Sequence, residues 1–194
     1  MPWYGGEMGA LTYVLLGSGI PGKNHPDFTD GPFKAHIMKA KFIGGGGTFE
    51  GRKPHSDFNN YYIGNDSTHW AQGVKNYKQA FTKDLYPGID MLMYGKGERL
   101  KYDLLVRPGA DVEAIAIKYM GVENPEIVDG KLQIATSVGL MTEMKPFAYQ
   151  LQDGEMHEVD CRFVIADGTV GFEVGDFNPT QTLVIDPEIT FSTY

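Results

Sequence analysis

The sequence predicts an all-β protein, an antiparallel sandwich that can be read as two packed sandwich halves, and three observations predict it. Short runs that alternate polar and apolar residues recur along the chain, the period of a half-buried strand. Asp-Gly pairs at 129–130, 153–154 and 167–168 separate several of these runs, and such pairs are the strongest short-range hairpin signal. Twenty-five glycines and eleven prolines punctuate the chain, which leaves no helical pattern long enough to cover a parallel α/β sheet.

The first run, GALTYVLL at 9–16, reads as a strand, and the Gly-, Pro- and Asp-rich stretch at 17–32 reads as a long exposed loop. In FKAHIMKAKFIG at 33–44, Phe33, Ala35 and Ile37 alternate with Lys34, His36 and Met38, again a strand. GGGGTFEGRKPHSDF then reads as a breaker, and NNYYIGNDSTHW at 59–70 as a short aromatic strand ending in a polar loop. Trp70, Val74, Tyr77, Phe81 and Leu85 recur at helical spacing, so pattern alone puts helix ahead of strand over 70–85.

Next comes a hairpin, GIDMLMYGKGERLKYDLLV at 88–106, and Pro108-Gly109 ends it. Asp111 is placed to cap one helical turn before Ile115, Ile117 and Tyr119 alternate as a strand. Beyond residue 120 the alternating runs and Asp-Gly turns become regular, in the manner of a sandwich. A division into residues 1–107 and 108–194 follows the break at Pro108, with one continuous domain as the alternative.

Length and composition exclude several classes of function. At 194 residues the chain buries a sizeable core. Its formal net charge of -8, with no Lys/Arg cluster, argues against a nucleic-acid partner. The longest apolar run, ALTYVLL at 10–16, is far short of the roughly 20 residues of a membrane span. No signal peptide is visible, so an exported protein would carry its signal upstream of this chain. The single cysteine, Cys161, cannot form an internal disulfide.

Candidate chemistry is sparse. Folding the hairpin about Lys96-Gly97 sets Asp90 opposite Asp103, with Met91 facing Tyr102 and Met93 facing Leu100. Two carboxylates at that separation would suit a retaining glycosidase, whose pair stands about 5–5.5 Å apart. Arg99, Lys101 and Arg107 would instead make them part of a charged strand face, and a longer turn would separate them. Asp90 and Asp103 are therefore the candidate catalytic pair, set against a structural reading that the composition favours.

Cys161 shares a face with Val159, Phe163 and Ile165 and reads as a small core residue, with His157 too far along to serve it as a base. His25, His36, His55, His69 and His157 lack the local pairing of a zinc site, so no metal and no cofactor is expected. Asn65 and Asp66 in GNDSTHW suit Asx-turn and capping roles better than a calcium loop. The glycine run 44–47 lacks the Lys-Ser/Thr and helix of a phosphate loop. Tyr61, Tyr62, Trp70, Tyr86 and Tyr94 lie in or beside loops and are the candidate binding residues, since exposed rings stack on sugars or anchor a protein ligand; core packing is the competing role.

Five ordered motifs, NYYIGNDSTHWAQGVKNY, LYPGIDMLMYG, LKYDLLVRPGAD, KPFAYQ and LVIDPEITFSTY, resemble an uncharacterised β-rich domain of large exported bacterial proteins, typical of Bacteroidetes. The likeness runs from about residue 9 to 194. In those proteins the domain precedes SBBP-type β-propeller repeats, and often a gliding-motility-associated C-terminal region. The resemblance implies an all-β module at a secreted or cell-surface location, with a propeller neighbour following FSTY at 191–194, and it implies strand rather than helix over 74–83. It supplies no catalytic residues. The expectation is a noncatalytic structural or adhesive module that holds a glycan or protein ligand, with a polysaccharide-acting hydrolase as the alternative.

Overall fold

Sixteen strands and two single 3-10 turns make up the computed structural model, which describes residues 9–17, 34–96 and 99–193. In chain order the strands are β1 (Ala10–Leu16), β2 (Ala35–Phe42), β3 (Thr48–Tyr61), β4 (Ala71–Tyr86), β5 (Ile89–Lys96), β6 (Arg99–Val106), β7 (Ile117–Met120) and β8 (Glu126–Val128). They continue as β9 (Lys131–Thr136), β10 (Gly139–Glu143), β11 (Phe147–Gln152), β12 (Glu155–Val159), β13 (Cys161–Ala166), β14 (Thr169–Val174), β15 (Leu183–Asp186) and β16 (Ile189–Thr193). The 3-10 turns, Ser67–His69 and Val112–Ala114, begin at Asp66 and Asp111, whose carboxylates accept from the Thr68 and Glu113 amides. The all-β class is as the sequence predicts.

Three antiparallel sheets result: five strands in the order β1-β2-β7-β14-β13, four in the order β16-β10-β9-β8, and seven in the order β12-β11-β15-β6-β5-β4-β3. Strands from either side of Arg107 meet at one seam in each of two sheets, where β2 pairs with β7 and β6 pairs with β15. The expected boundary at 107/108 therefore runs through two of the three sheets.

The local reasons are visible in the turns. At Asp129-Gly130, Asp153-Gly154 and Asp167-Gly168 both residues have positive φ, the backbone a two-residue hairpin turn requires. Each turn fixes its register, with Val128 opposite Lys131, Gln152 opposite Glu155 and Ala166 opposite Thr169.

Alternate residues of all three sheets fill one core, including Tyr13 and Phe42 from the five-stranded sheet, Ile134 and Met141 from the four-stranded one, and Leu104 and Ile185 from the seven-stranded one. Glu143 on β10 lies at its centre. Its Oε2 accepts from the Tyr102 hydroxyl of β6 at 2.9 Å and its Oε1 from the Tyr119 hydroxyl of β7 at 2.5 Å. One carboxyl thus joins the three sheets, and burial holds its pKa above the ordinary glutamate value.

Several local expectations change. Of the strand at 33–44, the side that is buried carries Met38, Ala40 and Phe42, while Ile37 is exposed. The stretch at 44–58 is mostly strand, because β3 begins at Thr48 and runs to Tyr61. Residues 71–86 are strand β4, and of the five apolar residues at helical spacing only Phe81 and Leu85 are buried. The four-residue steps keep side chains on one face of a strand as well as of a helix, and only the three-residue step from Val74 to Tyr77 crosses faces in the strand. The loop at 17–32 and His25 lie almost wholly outside the described residues.

Candidate functional site

The hairpin of β5 and β6 forms, but in a different register from the one expected. Lys96 pairs with Arg99, Leu92 with Asp103, and Asp90 with Leu105. Relative to a turn at Lys96-Gly97 the pairing is slipped by two residues, which leaves every side chain on its expected face and separates the two aspartates. Met91, Met93, Tyr102 and Leu104 still face the core.

Asp90 has a structural role. Between Thr82 and Tyr86 the β4–β5 register shifts, and Asp84 takes a φ of 51° there. Asp90 Oδ1 accepts from the Asp84 amide at 2.8 Å, its Oδ2 lies 3.6 Å from Arg107 Nη1, and Arg107 also pairs with the Asp84 carboxylate. The buried carboxylate therefore satisfies a backbone donor that the bulge takes out of the ladder.

Asp103 meets a different acid. Strand β15 runs beside β6 with Ile185 opposite Leu104, and the isolated bridge Lys101–Glu188 continues the same register. Asp186 accordingly stands across from Asp103. Burial, then the charge of Asp186, raises the Asp103 pKa to about 6. Lys101, itself buried, donates to Asp186 Oδ2 at 2.8 Å, and the Tyr94 hydroxyl donates to Asp103 Oδ1 at 3.2 Å. Neither aspartate lines the two hollows described below. The sequence contained this pair in YDLL and VIDPE, yet its residues are 83 positions apart and only the β6–β15 pairing joins them.

The five candidate rings fall into three places. Tyr86 is core: its hydroxyl donates to the Ala116 carbonyl and accepts from the Ala116 amide, both at 3.2 Å, so it is no binding residue. Tyr94 belongs to the acid cluster. Tyr61, Tyr62 and Trp70 stand together, at the end of the longest hairpin of the fold.

That hairpin is an arm. Strand β5 pairs with β4 only from Gln79 onward, whereas β3 and β4 continue to pair as far as Tyr61 and Ala71. The nine residues beyond Arg52 extend about 30 Å at strand rise with no third strand beside them. Arg52 marks the base, with its guanidinium 3.3 Å from the centroid of the buried Phe81 ring. At the tip, Tyr62 and Trp70 meet edge to face at 5.3 Å, and Trp70 Nε1 donates to the Gly64 carbonyl at 3.2 Å. These contacts fix the tip's shape while leaving Tyr62 56% and Trp70 41% exposed. Phe58, Tyr61, Ile63 and Tyr77 are exposed along the same arm.

Two hollows lie elsewhere on the described surface. One of about 550 Å³ lies between the Val112–Ala114 turn and the β13–β14 hairpin, with Ile115, Val164, Phe172 and Phe177 among its walls. The other, of about 410 Å³, includes His36, Glu123 and Ser137. His36 Nδ1 lies 2.9 Å from Ser137 Oγ, a Ser/His contact that sequence spacing does not reveal. The Ser137 amide also donates to Nδ1 at 3.2 Å, so the ring's one acceptor lone pair is already engaged in holding the turn.

Cys161 is buried, and burial pushes its thiol up to about 12, as suits a core residue. His157 lies on β12 of a different sheet. Among the described residues no group of three or more His, Cys, Asp or Glu is arranged to hold a metal, and no helix is long and apolar enough to cross a membrane.

Fold and site together define an all-β protein of three interlocked antiparallel sheets with a projecting aromatic arm. The chain belongs to the family described as a domain of unknown function (DUF7948), whose model matches residues 10–188. No curated protein and no solved structure matches it.

Proposed function

We propose that the chain is a noncatalytic docking module of a secreted or cell-surface protein, with the β3–β4 arm as the element that contacts a glycan or protein ligand. One observation carries this reading. The arm is a two-stranded ribbon without a core of its own, yet it displays Phe58, Tyr61, Tyr62, Trp70 and Tyr77 to solvent. An isolated two-stranded ribbon is at best marginal in water, and large exposed rings supply contact area at small entropic cost. The secreted or surface location, and a β-propeller neighbour in the same polypeptide, belong to this proposal through the sequence resemblance.

A glycan array probed with the chain, its Tyr62→Ala/Trp70→Ala variant and a Tyr94→Ala variant tests the reading. Signals that vanish with the tip variant and persist with Tyr94→Ala, while both variants still unfold cooperatively on heating, support it. A blank array, or binding indifferent to the tip, removes the glycan ligand. The same comparison against candidate protein partners tests the other branch.

A further inference from the structure

We infer that the arm's partner is a second copy of this chain, and that it docks on the exposed tip of the β11–β12 hairpin. The inference rests on the reading of the arm as a contact element and names its occupant.

Two exposed patches at opposite ends of one sheet complement each other in charge and share apolar character. In the arm beyond Arg52, residues 53–78, Lys53, Lys75 and Lys78 oppose Asp57 and Asp66, a net charge of +1, while Arg52 is paired with Glu50 and the remainder of the chain carries -9. The arm is thus a cationic segment of an acidic molecule, with Lys75 and Lys78 exposed, as is the stretch 34–41, where Lys34, Lys39 and Lys41 stand with no acid. At the other end of the seven-stranded sheet, residues 151–160 hold Asp153, Glu155, Glu158 and Asp160 with no Lys or Arg. Leu151 and Met156 face each other across that hairpin, and each is 58% exposed. An apolar pair with Glu158 on its own face and Asp153, Glu155 and Asp160 close by in the chain is suited to meet exposed rings that have lysines nearby, because apolar burial and opposite charge then act together.

On its own molecule the arm extends along the strand direction, whereas this patch lies across the sheet at the opposite edge. Strands β3 and β12 are the two edges of the sheet, with five strands between them, a separation of roughly 30 Å. The contact is therefore between molecules, and it is heterologous: patch and arm differ, so each copy offers one free arm and one free patch, and assembly propagates head to tail. Within β3, Pro54 has no amide to donate and Lys53 has a φ of 53°, which interrupts any continuous edge ladder. Side chains, rather than added strand pairing, make the contact.

Sedimentation velocity on the 194-residue chain tests this, over about 10–500 µM and at about 50 and 500 mM NaCl, where screening separates the two conditions. The parent is expected to grow in mass with concentration at low salt and to revert toward monomer at high salt. Lys75→Glu/Lys78→Glu and Glu155→Lys/Glu158→Lys should each weaken association by about tenfold or more, since each sets like charge against like. Mixed together, the two variants should associate to within about threefold of the parent, because each arm then meets a patch of opposite sign. Circular dichroism and melting of each variant alone show that it is folded.

A parent that stays monomeric throughout, an association untouched by Glu155→Lys/Glu158→Lys, or a mixture that fails to associate each overturns self-docking. The array result separates this from the arm reading. Tip-dependent ligand binding by a strictly monomeric chain leaves the arm as a contact element with a foreign partner, and a blank array beside charge-swappable association leaves self-docking as its use.

Discussion

Asp103 on β6 and Asp186 on β15 face each other across the seam where the two halves of the sequence join in one sheet. Lys101 is shared between Asp186, at 2.8 Å, and Glu188, at 4.0 Å, so three acids meet one cation, with the Tyr94 and Tyr149 rings beside them. Burial in such company favours the protonated form of Asp103.

The sign of the resulting pH dependence follows directly. The folded pKa of Asp103, about 6, exceeds the unfolded value of 3.8, so between them the native state holds a proton that the unfolded chain has released. Stability from this group is complete below pH 4 and is lost as pH rises through 6. Solvent screening of a half-buried group leaves about 1–2 kcal/mol. Asp103→Asn should match the parent near pH 4 and be more stable by that amount at pH 8. Urea midpoints at the two pH values measure it, and equal midpoints at pH 8 would contradict it.

Asp90 predicts a different behaviour. Asp90→Ala removes the acceptor of the Asp84 amide and a neighbour of Arg107, and a buried donor without a partner costs about 1–3 kcal/mol. Unfolding free energy should fall by that range. Asp90→Asn, which retains an oxygen for the amide, should lose less. An alanine variant as stable as the parent would remove the bulge-holding role.

The Glu143 junction supplies a non-additive series. Tyr102→Phe and Tyr119→Phe each withdraw a donor from a buried carboxyl and should each destabilise by about 1–3 kcal/mol. Glu143→Leu combined with both phenylalanines leaves no polar atom of the trio unpartnered and should recover most of the loss. Chemical denaturation of the two single tyrosine variants, of Glu143→Leu alone and of the triple variant decides, and a triple variant at the additive sum would refute the coupling.

Gly51 governs the root of the arm. A Cβ there would lie 2.5 Å from the Tyr77 ring, so Gly51→Ala must displace that ring. Limited proteolysis should cut the arm about tenfold faster in Gly51→Ala, through a loss of roughly 1 kcal/mol or more in local stability. Adding Tyr77→Ala removes the clash and should slow cleavage again. Unchanged cleavage in Gly51→Ala would show that the ring is free to move.

Much of the fold was legible because local rules decide it. The three Asp-Gly turns, the caps at Asp66 and Asp111, and the apolar face of the β5–β6 hairpin all depend on residues a few positions apart. The buried role of Cys161 was legible for the same reason. Less was legible over 70–85, where strand and helix share a four-residue interval, and in β3, whose glycine, proline and histidine look like a loop until β4 pairs with them.

The sequence by itself determined the class of fold, the acidic surface and which side of most strands is apolar, since alternation and turn chemistry act within a few residues. Tertiary structure alone decided that Asp103 meets Asp186 rather than Asp90, that Glu143 receives a tyrosine from each of two other sheets, and that Tyr86 is core while Trp70 stands on an arm. The reason is physical. A register shift of two residues preserves every face, so the hydrophobic pattern constrains sides without constraining partners, and partners across a sheet are chosen only when distant strands pack.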